Sequence, residues 1–364
     1  MINIDNIQQL LQGLGGEAVL KSIKGLSRQV SDSLDSVLNI EFPQEYKNCS
    51  SIVFCGMGGS RFPGLIAYYL YKTKLRVPFE VCDDYLLPGS VNKDTLVVLS
   101  SYSGTTAEVL HCAELAKERS AHITGFCVGG PLSEWLKKEG LPHHVFDEDN
   151  NPSKQPRMGF GYTFGSFLGI LLALDLLTSD SKEDLLAQIR KEISQIPKFE
   201  QGVGVEVQTG QNLAKQMALK IQGRYPYFVV AEHLTGVGNC VQNQTNETGK
   251  NISSYRVISE INHHLMEGLQ FPTEHRKMAL FITFFSSLYS PKIQQRFDIT
   301  EDVVRQNDIE VLRHTLTAHT KLGQVFELLV FSAFMTMYLA GIYGVNPEKI
   351  PYVDYFKEQL KKTA

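Results

Sequence analysis

Residues 51–71 read SIVFC-GMGGS-RFPGLIAYYLY: a short apolar run, a glycine-rich turn, and a second, longer apolar run. Ser51–Cys55 has the length and the β-branched and aromatic content of a buried strand, and Phe62–Tyr71 is long enough for a helix. Between them Gly56, Gly58 and Gly59 allow close backbone approach and positive φ angles. Ser60 then stands where an N-cap hydroxyl and free backbone amides can face an anion. The spacing is not GxGxxG, and no Gly-Lys-Ser/Thr follows, so neither a dinucleotide fingerprint nor a P-loop is present. Taken alone, the motif reads equally well as a tight β–α turn without a ligand.

The next crossover changes that balance. Residues 96–110, LVVLSSYSGTTAEVL, set the hydroxyls of Ser101, Ser103, Thr105 and Thr106 around Gly104, again between a strand and a helix. Hydroxyls and amides at a helix N-terminus hold a phosphate without a bulky cation. Two such turns on successive strand–helix units would both open at the carboxyl edge of a parallel sheet, where ligands of such sheets sit.

Outward from these turns the rhythm persists. Ile123–Val128 and Leu132–Lys138 form another strand–helix pair, and an apolar helix is expected over Tyr162–Leu177. The charged stretch Thr178–Gln201 reads as a boundary with a surface helix. Strands are expected again at Tyr227–Ala231, Met278–Phe284 and Glu310–Leu316, with helices at Asn212–Ile221, Pro291–Arg305 and Lys321–Ile342. Before all of this, Val19, Ile23, Leu26, Val30, Leu34 and Val37 recur at helical steps. Alternating strands and helices predict an α/β protein of two mainly parallel sheets flanked by helices. The expected layout is an N-terminal helical segment over 1–45, a phosphate-binding subdomain over 46–180, and a second subdomain with C-terminal helices over 200–364. FCGMGGS lies opposite VVAEHLTG and LSSYSGTT opposite FFSSLYSP, so the second half echoes the first with most glycines lost.

The 364 residues carry a formal net charge of −4, which gives no general attraction to nucleic acid or anionic membrane. Six cysteines (Cys49, Cys55, Cys82, Cys112, Cys127, Cys240) form no CxxC pair and read as reduced core thiols. With no signal-peptide pattern in MINIDNIQQL, the expectation is a cytoplasmic protein. Residues 326–345, FELLVFSAFMTMYLAGIYGV, approach the length of a membrane span. They include Glu327, Ser332 and Thr336, and a buried core or interface helix is the reading taken.

GMGGS followed by SYSGTTAE resembles the sugar isomerase (SIS) domain, and specifically the bifunctional phosphoglucose/phosphomannose isomerases. Pro156-Arg157-Met158-Gly159 looks like that family's Pro-Arg element. Asn246-Glu247-Thr248-Gly249-Lys250 is similar to its Asn-Glu-Asn-x-Lys, and Glu260-Ile261-Asn262-His263-His264 to its Glu-x-Asn-His-Asn. RFDIT and GVNPEKIPYVDYFKEQL also have counterparts there. The resemblance implies two SIS subdomains and interconversion of glucose 6-phosphate or mannose 6-phosphate with fructose 6-phosphate. It assigns Gly59, Ser60, Ser101, Ser103 and Thr106 to the substrate phosphate and Glu247 to proton transfer between C1 and C2. Arg157 would stabilise the enediolate, while His263, donated by a second subunit of a homodimer, and Lys357 would open the sugar ring.

The chemistry asks for the same residue types. A carboxylate base takes a weakly acidic carbon proton, an arginine stays positive beside the anionic intermediate, and a histidine moves protons at the ring oxygen. No metal or redox cofactor is required. Taken singly, Glu247 reads as a surface or capping carboxylate, Arg157 as half of a surface pair, and Lys357 as one lysine of a basic helix. The pattern departs from the family at Arg61-Phe62-Pro63, Thr105, Leu265, Ile350 and Gly238–Val241. Isomerisation of another sugar phosphate, or a sensor that binds one without turnover, are the alternatives those departures leave open.

Overall fold

The computed structural model describes residues 4–363. Residues 1–3 and 364, at the two ends of the expected layout, lie outside the described residues.

Helices α1 (Ile7–Gly13), α2 (Glu17–Lys24) and α3 (Leu26–Leu38) precede the first sheet. That half then runs β1 (Ser51–Gly56), α4 (Phe62–Tyr71), β2 (Phe79–Cys82), β3 (Thr95–Ser100), α5 (Ala107–Glu118), β4 (His122–Cys127), α6 (Gly130–Lys138), β5 (His143–Val145) and α7 (Phe160–Ala173). The 22-residue α8 (Lys182–Val203) and α9 (Leu213–Ile221) lead into the second half. There follow β6 (Tyr225–Ala231), α10 (Thr235–Glu247), β7 (Ser254–Ile258), the single turns α11 (Leu265–Gly268) and α12 (His275–Met278), β8 (Ala279–Phe285), α13 (Pro291–Gln306), β9 (Glu310–Thr315), α14 (Lys321–Tyr343) and α15 (Pro351–Thr363).

Both sheets are parallel throughout. Their strand orders are β2-β1-β3-β4-β5 and β7-β6-β8-β9. The second order repeats the first four strands of the first, so β1 corresponds to β6 and β3 to β8. The predicted α/β class, with helices flanking two parallel sheets, is the class observed.

The early helical pattern is divided by Gly25, where a Cβ atom would lie 2.3 Å from the Asn150 carbonyl oxygen. Close behind this contact, buried Gln29 donates to the carbonyls of Ser22, Asn150 and Met158, tying the N-terminal helices to the segment that carries Arg157. The long apolar helix expected near the C-terminus is α14, and 94% of its most apolar 18-residue window is buried inside the protein. Its polar residues have partners: Glu327 accepts the backbone N–H groups of Thr317 and Ala318, and Ser332 donates to Gln244 of α10.

Three strands and, apart from the single turns α11 and α12, one helix escaped the sequence pattern. β2, β5 and β7 are edge strands whose residues are partly exposed, so none shows a continuous apolar run. The helix, α10, reads TGVGNCVQNQTNE, a composition of low intrinsic helix propensity. Packing supplies what propensity lacks. At Gly236 a Cβ would meet the Ile66 backbone at 2.6 Å, so a small residue there is what lets α10 lie directly on α4 and join the two halves.

Candidate active site

The two glycine- and serine-rich turns leave neighbouring strands, β1 and β3, and are bonded to each other. Ser100 Oγ donates to the Ser60 carbonyl at 2.7 Å, and the Tyr102 N–H donates to Ser60 Oγ at 2.9 Å. This differs from the N-cap placement expected for Ser60. Its hydroxyl is buried and positions the second turn, and it is no helix cap, because a 3₁₀ turn over Gly58–Arg61 intervenes before α4 begins at Phe62.

The second turn presents its hydroxyls in pairs. Ser101 Oγ lies 2.8 Å from Thr106 Oγ1, and Ser103 Oγ lies 2.8 Å from Thr105 Oγ1. Thr106 occupies the N-cap position of α5 in an extended conformation, yet makes no side-chain cap. The first amides of α5 therefore have no partner within the helix, and hydroxyl rotation is enough to direct these donors at an anion. Gly104 holds the turn at φ +70°, with the backbone of Gly129 packed so closely that a Cβ would sit 1.8 Å from its carbonyl oxygen. The loop Val128-Gly129-Gly130-Pro131, which sequence reading did not single out, is thus a third wall of the site. Its Gly-Gly-Pro after an apolar run was the signal available.

Segment Pro156–Gly159 clamps both turns. At Gly59 a Cβ would come within 3.2 Å of the Arg157 nitrogen and the Pro156 carbonyl carbon. At Gly159 a Cβ would come within 2.5 Å of the Tyr102 ring. The Tyr102 hydroxyl in turn accepts from Asn151 Nδ2 at 2.6 Å.

Arg157 is the hub between the halves. It is 2% exposed, and its guanidinium donates to Gln155 Oε1, Thr248 Oγ1 and the carbonyls of Pro347 and Glu348 at 2.8–2.9 Å. Its Nη1 also lies 3.4 Å from Glu247 Oε2. Burial lowers the Arg157 pKa from the ordinary arginine value, opposed by the charges of Glu247, Glu348 and Asp354. Behind it, Gln244 relays a contact from α14, donating to the Arg157 carbonyl while accepting from Ser332. Glu247 ends α10 with its side chain 32% exposed, facing open space on one side and Arg157 on the other.

Lys250 is a site residue that sequence reading quoted in its motif without assigning. It donates to the carbonyls of Glu247 and Lys349, fastening the end of α10 to the loop before α15. Burial, with help from the Arg157 charge and opposed by Glu247, brings its pKa down to about 8.

The structure does not bring every expected residue to this place within one chain. His263 lies exposed in the 3₁₀ turn Glu260–His263 after β7, and no hydrogen bond links it to Glu247 or Arg157 among the described residues. Beside it, Asn262 lines a cavity of about 510 Å³ with Lys292, Gln295, Arg296 and Thr300. Lys357 is exposed on α15, a helix that also exposes Tyr352, Tyr355 and Phe356 by 89%, 62% and 61%.

Comparison with known proteins follows the same division. A sequence model of the SIS domain matches residues 45–134, and the bacterial phospho-glucose isomerase C-terminal SIS domain matches residues 210–360. The bifunctional phosphoglucose/phosphomannose isomerase of Caldicellulosiruptor bescii is 28% identical over 356 residues, covering 94% of this chain and 98% of that protein. Its namesake from Aquifex aeolicus is 26% identical, covering 86% and 91%. A solved structure of a hypothetical protein from Thermus thermophilus superposes with a TM-score of 0.72 over 98% of this chain and 93% of that one. At 17% identity, that match speaks for the fold.

Proposed function

We propose that this chain, a two-SIS-domain relative of the bifunctional phosphoglucose/phosphomannose isomerases, interconverts an aldose 6-phosphate with fructose 6-phosphate through an enediolate. Sugar-phosphate isomerisation is the activity, with glucose 6-phosphate and mannose 6-phosphate as the aldoses. The observation that carries the reading is the pair Arg157–Glu247, separated by 3.4 Å, with the backbone of Pro156 and Arg157 packed against Gly59 of the first turn.

In this reading the phosphate is held by Ser101, Ser103, Thr106 and the open amides of α5, with Gly59 and Ser60 shaping the pocket floor. Sugar carbons C1 and C2 then extend toward Glu247. Its carboxylate removes the C2 proton of the aldose and returns it to C1, and Arg157 faces the negative oxygen that develops between those steps. Because Arg157 is fixed by four neighbours besides Glu247, its charge is in place before the reaction and needs no rearrangement. His263, donated by a second copy of the chain, and Lys357 serve ring opening. The exposed apolar face of α15 supports such a homodimer, since burying Tyr352, Tyr355 and Phe356 needs a partner surface. The protein works in the cytoplasm.

Glu247→Gln tests the assignment. Isomerisation and deuterium exchange at C2 in heavy water should both fall by roughly 10²- to 10⁴-fold, with fructose 6-phosphate affinity nearly unchanged. Exchange within a few fold of the parent would place the base elsewhere. A parent protein that binds the ester and exchanges nothing would be a sensor.

A further inference from the structure

A second chemical feature lies behind the first turn. Cys55 and Cys82 are register partners on the parallel strands β1 and β2, so their side chains leave the same face of the sheet. Helix α5 covers that face and sets Cys112 over both. All three thiols are buried and reduced, and their sulfur atoms lie within 4.8 Å of one another. None is near another in sequence, and β2 itself was not predicted, so no spacing motif announced the cluster.

Main-chain oxygens close the remaining side. The chain leaving β2 turns back so that the Asp84 carbonyl lies 3.4 Å from Cys112 Sγ and 3.7 Å from Cys82 Sγ. The Leu86 carbonyl lies 3.4 Å from Cys82 Sγ. Elsewhere the surroundings are aliphatic: Val53, Leu87, Val91, Leu99 and Val109 belong to the same buried cluster.

We propose that Cys55, Cys82 and Cys112, completed by the Asp84 carbonyl oxygen, form a binding site for a thiophilic divalent cation of the zinc class. A tetrahedral ion with bonds of ~2.3 Å to sulfur requires sulfur–sulfur separations of about 3.8 Å, so the thiols need close by no more than about 1 Å. Each thiol gives up its proton to solvent buffer as the ion enters, and no electron transfer is involved. Three thiolates and a divalent ion leave one net negative charge. Two arginines are anchored on the segment that follows β2: Arg61, paired with Asp83 at 2.9 Å, and Arg119, which donates to the Pro88 carbonyl at 2.5 Å.

The site is structural with respect to the isomerase reaction. It joins the end of β1, where the Gly56–Ser60 turn departs, to the segment whose Asp83 holds Arg61 next to Ser60. Occupancy fixes this segment without contributing a ligand to the sugar.

Titration of the reduced full-length protein with Cd²⁺ under anaerobic conditions tests the proposal, read by the ultraviolet thiolate-to-cadmium charge-transfer band and by equilibrium dialysis. The expected result is a band saturating at one equivalent, with a rise in melting temperature that a chelator reverses. Cys82→Ala and Cys112→Ala, shown to be folded by circular dichroism, should each lose the band, while Cys240→Ala keeps it. No band at one equivalent in the folded parent protein overturns the site. So does a band that survives both Cys82→Ala and Cys112→Ala. Loss of two titratable thiols under mild oxidation, with no cadmium uptake beforehand, would likewise overturn it and leave a redox pair in its place.

Discussion

The two halves share a strand order and differ in what fills their carboxyl edges. In the first half, the turns after β1 and β3 bond to one another and leave the donors at the start of α5 open. In the second half, the end of β6 and the turn after β8 are also joined, here by the Ala231 N–H donating to the Tyr289 hydroxyl. There, however, the protein supplies its own anion. Glu232, in the turn after β6, accepts the N–H of Ser290, the N-cap residue of α13, with both carboxylate oxygens at 3.1 and 3.3 Å. The hydroxyl of Ser286 is likewise committed, donating to Gln324. One topology thus yields a ligand site where the chain withholds side-chain partners, and a closed scaffold where it provides them.

The sharpest way to break this comparison is at Gly104. Alanine there must adopt φ near +70° and avoid a carbonyl oxygen 1.8 Å from its Cβ, so the second turn cannot keep its shape. Binding of fructose 6-phosphate should disappear by calorimetry up to about millimolar ligand. Ser287→Ala, in the corresponding exposed turn of the second half, should bind as the parent does. Retained affinity in Gly104→Ala would remove this turn from the site.

Removing hydroxyls is milder. Ser103→Ala with Thr106→Ala takes away two donors to a charged group, and affinity for any hexose 6-phosphate should weaken about 100-fold, equally for each epimer. An epimer-dependent loss would mean these hydroxyls read the sugar and not its phosphate.

The halves should also part under acid. Burial holds His233 and His314 of the second half at a pKa of about 4, and His144 of the first half at about 4 as well. His233 donates from Nε2 to Gln324, and His314 stacks on Phe331 at 4.1 Å. A folded pKa below the unfolded value of about 6.5 favours the neutral ring. Its stabilising contribution is therefore complete above about pH 6.5 and is lost as pH falls toward the folded value. At pH 5 each histidine costs about 2 kcal/mol, so the second half, with two, should weaken more than the first. Hydrogen exchange at pH 5 should show β6 and β8 losing protection before β1 and β3. The reverse order would mean that His144 dominates.

The contrast between the halves also marks what a sequence can reveal. The open site was legible because it rests on local grammar: glycines and hydroxyls crowded between a strand and a helix declare free donors in a few residues. The sheets were legible wherever strands were buried on both faces. Arg157 and Glu247 were legible only through resemblance, since 90 residues separate them and each alone looks ordinary. Lys250, the Gly129–Gly130 wall and the three-thiol cluster needed the fold, because their meaning arises from residues that meet across elements. α10 needed it too, as its helix depends on the close approach at Gly236 and not on its own composition.

The smallest effect tests the comparison most directly. Glu232 holds φ at +42°, a strained value for any residue but glycine, and its carboxylate stands at the N-terminus of α13. Glu232→Ala keeps the strain and loses the charge interaction, so stability should drop by about 1 kcal/mol. Glu232→Gly loses the same interaction but relieves the strain, and should return close to the parent value. In both variants the Ser290 N–H is freed, and inorganic phosphate should shift the amide resonances of Ser290 and Lys292, as it should not in the parent. If phosphate leaves those resonances unmoved in both variants, the second half is closed by more than its own carboxylate, and the open site of the first half owes its character to glycine spacing alone.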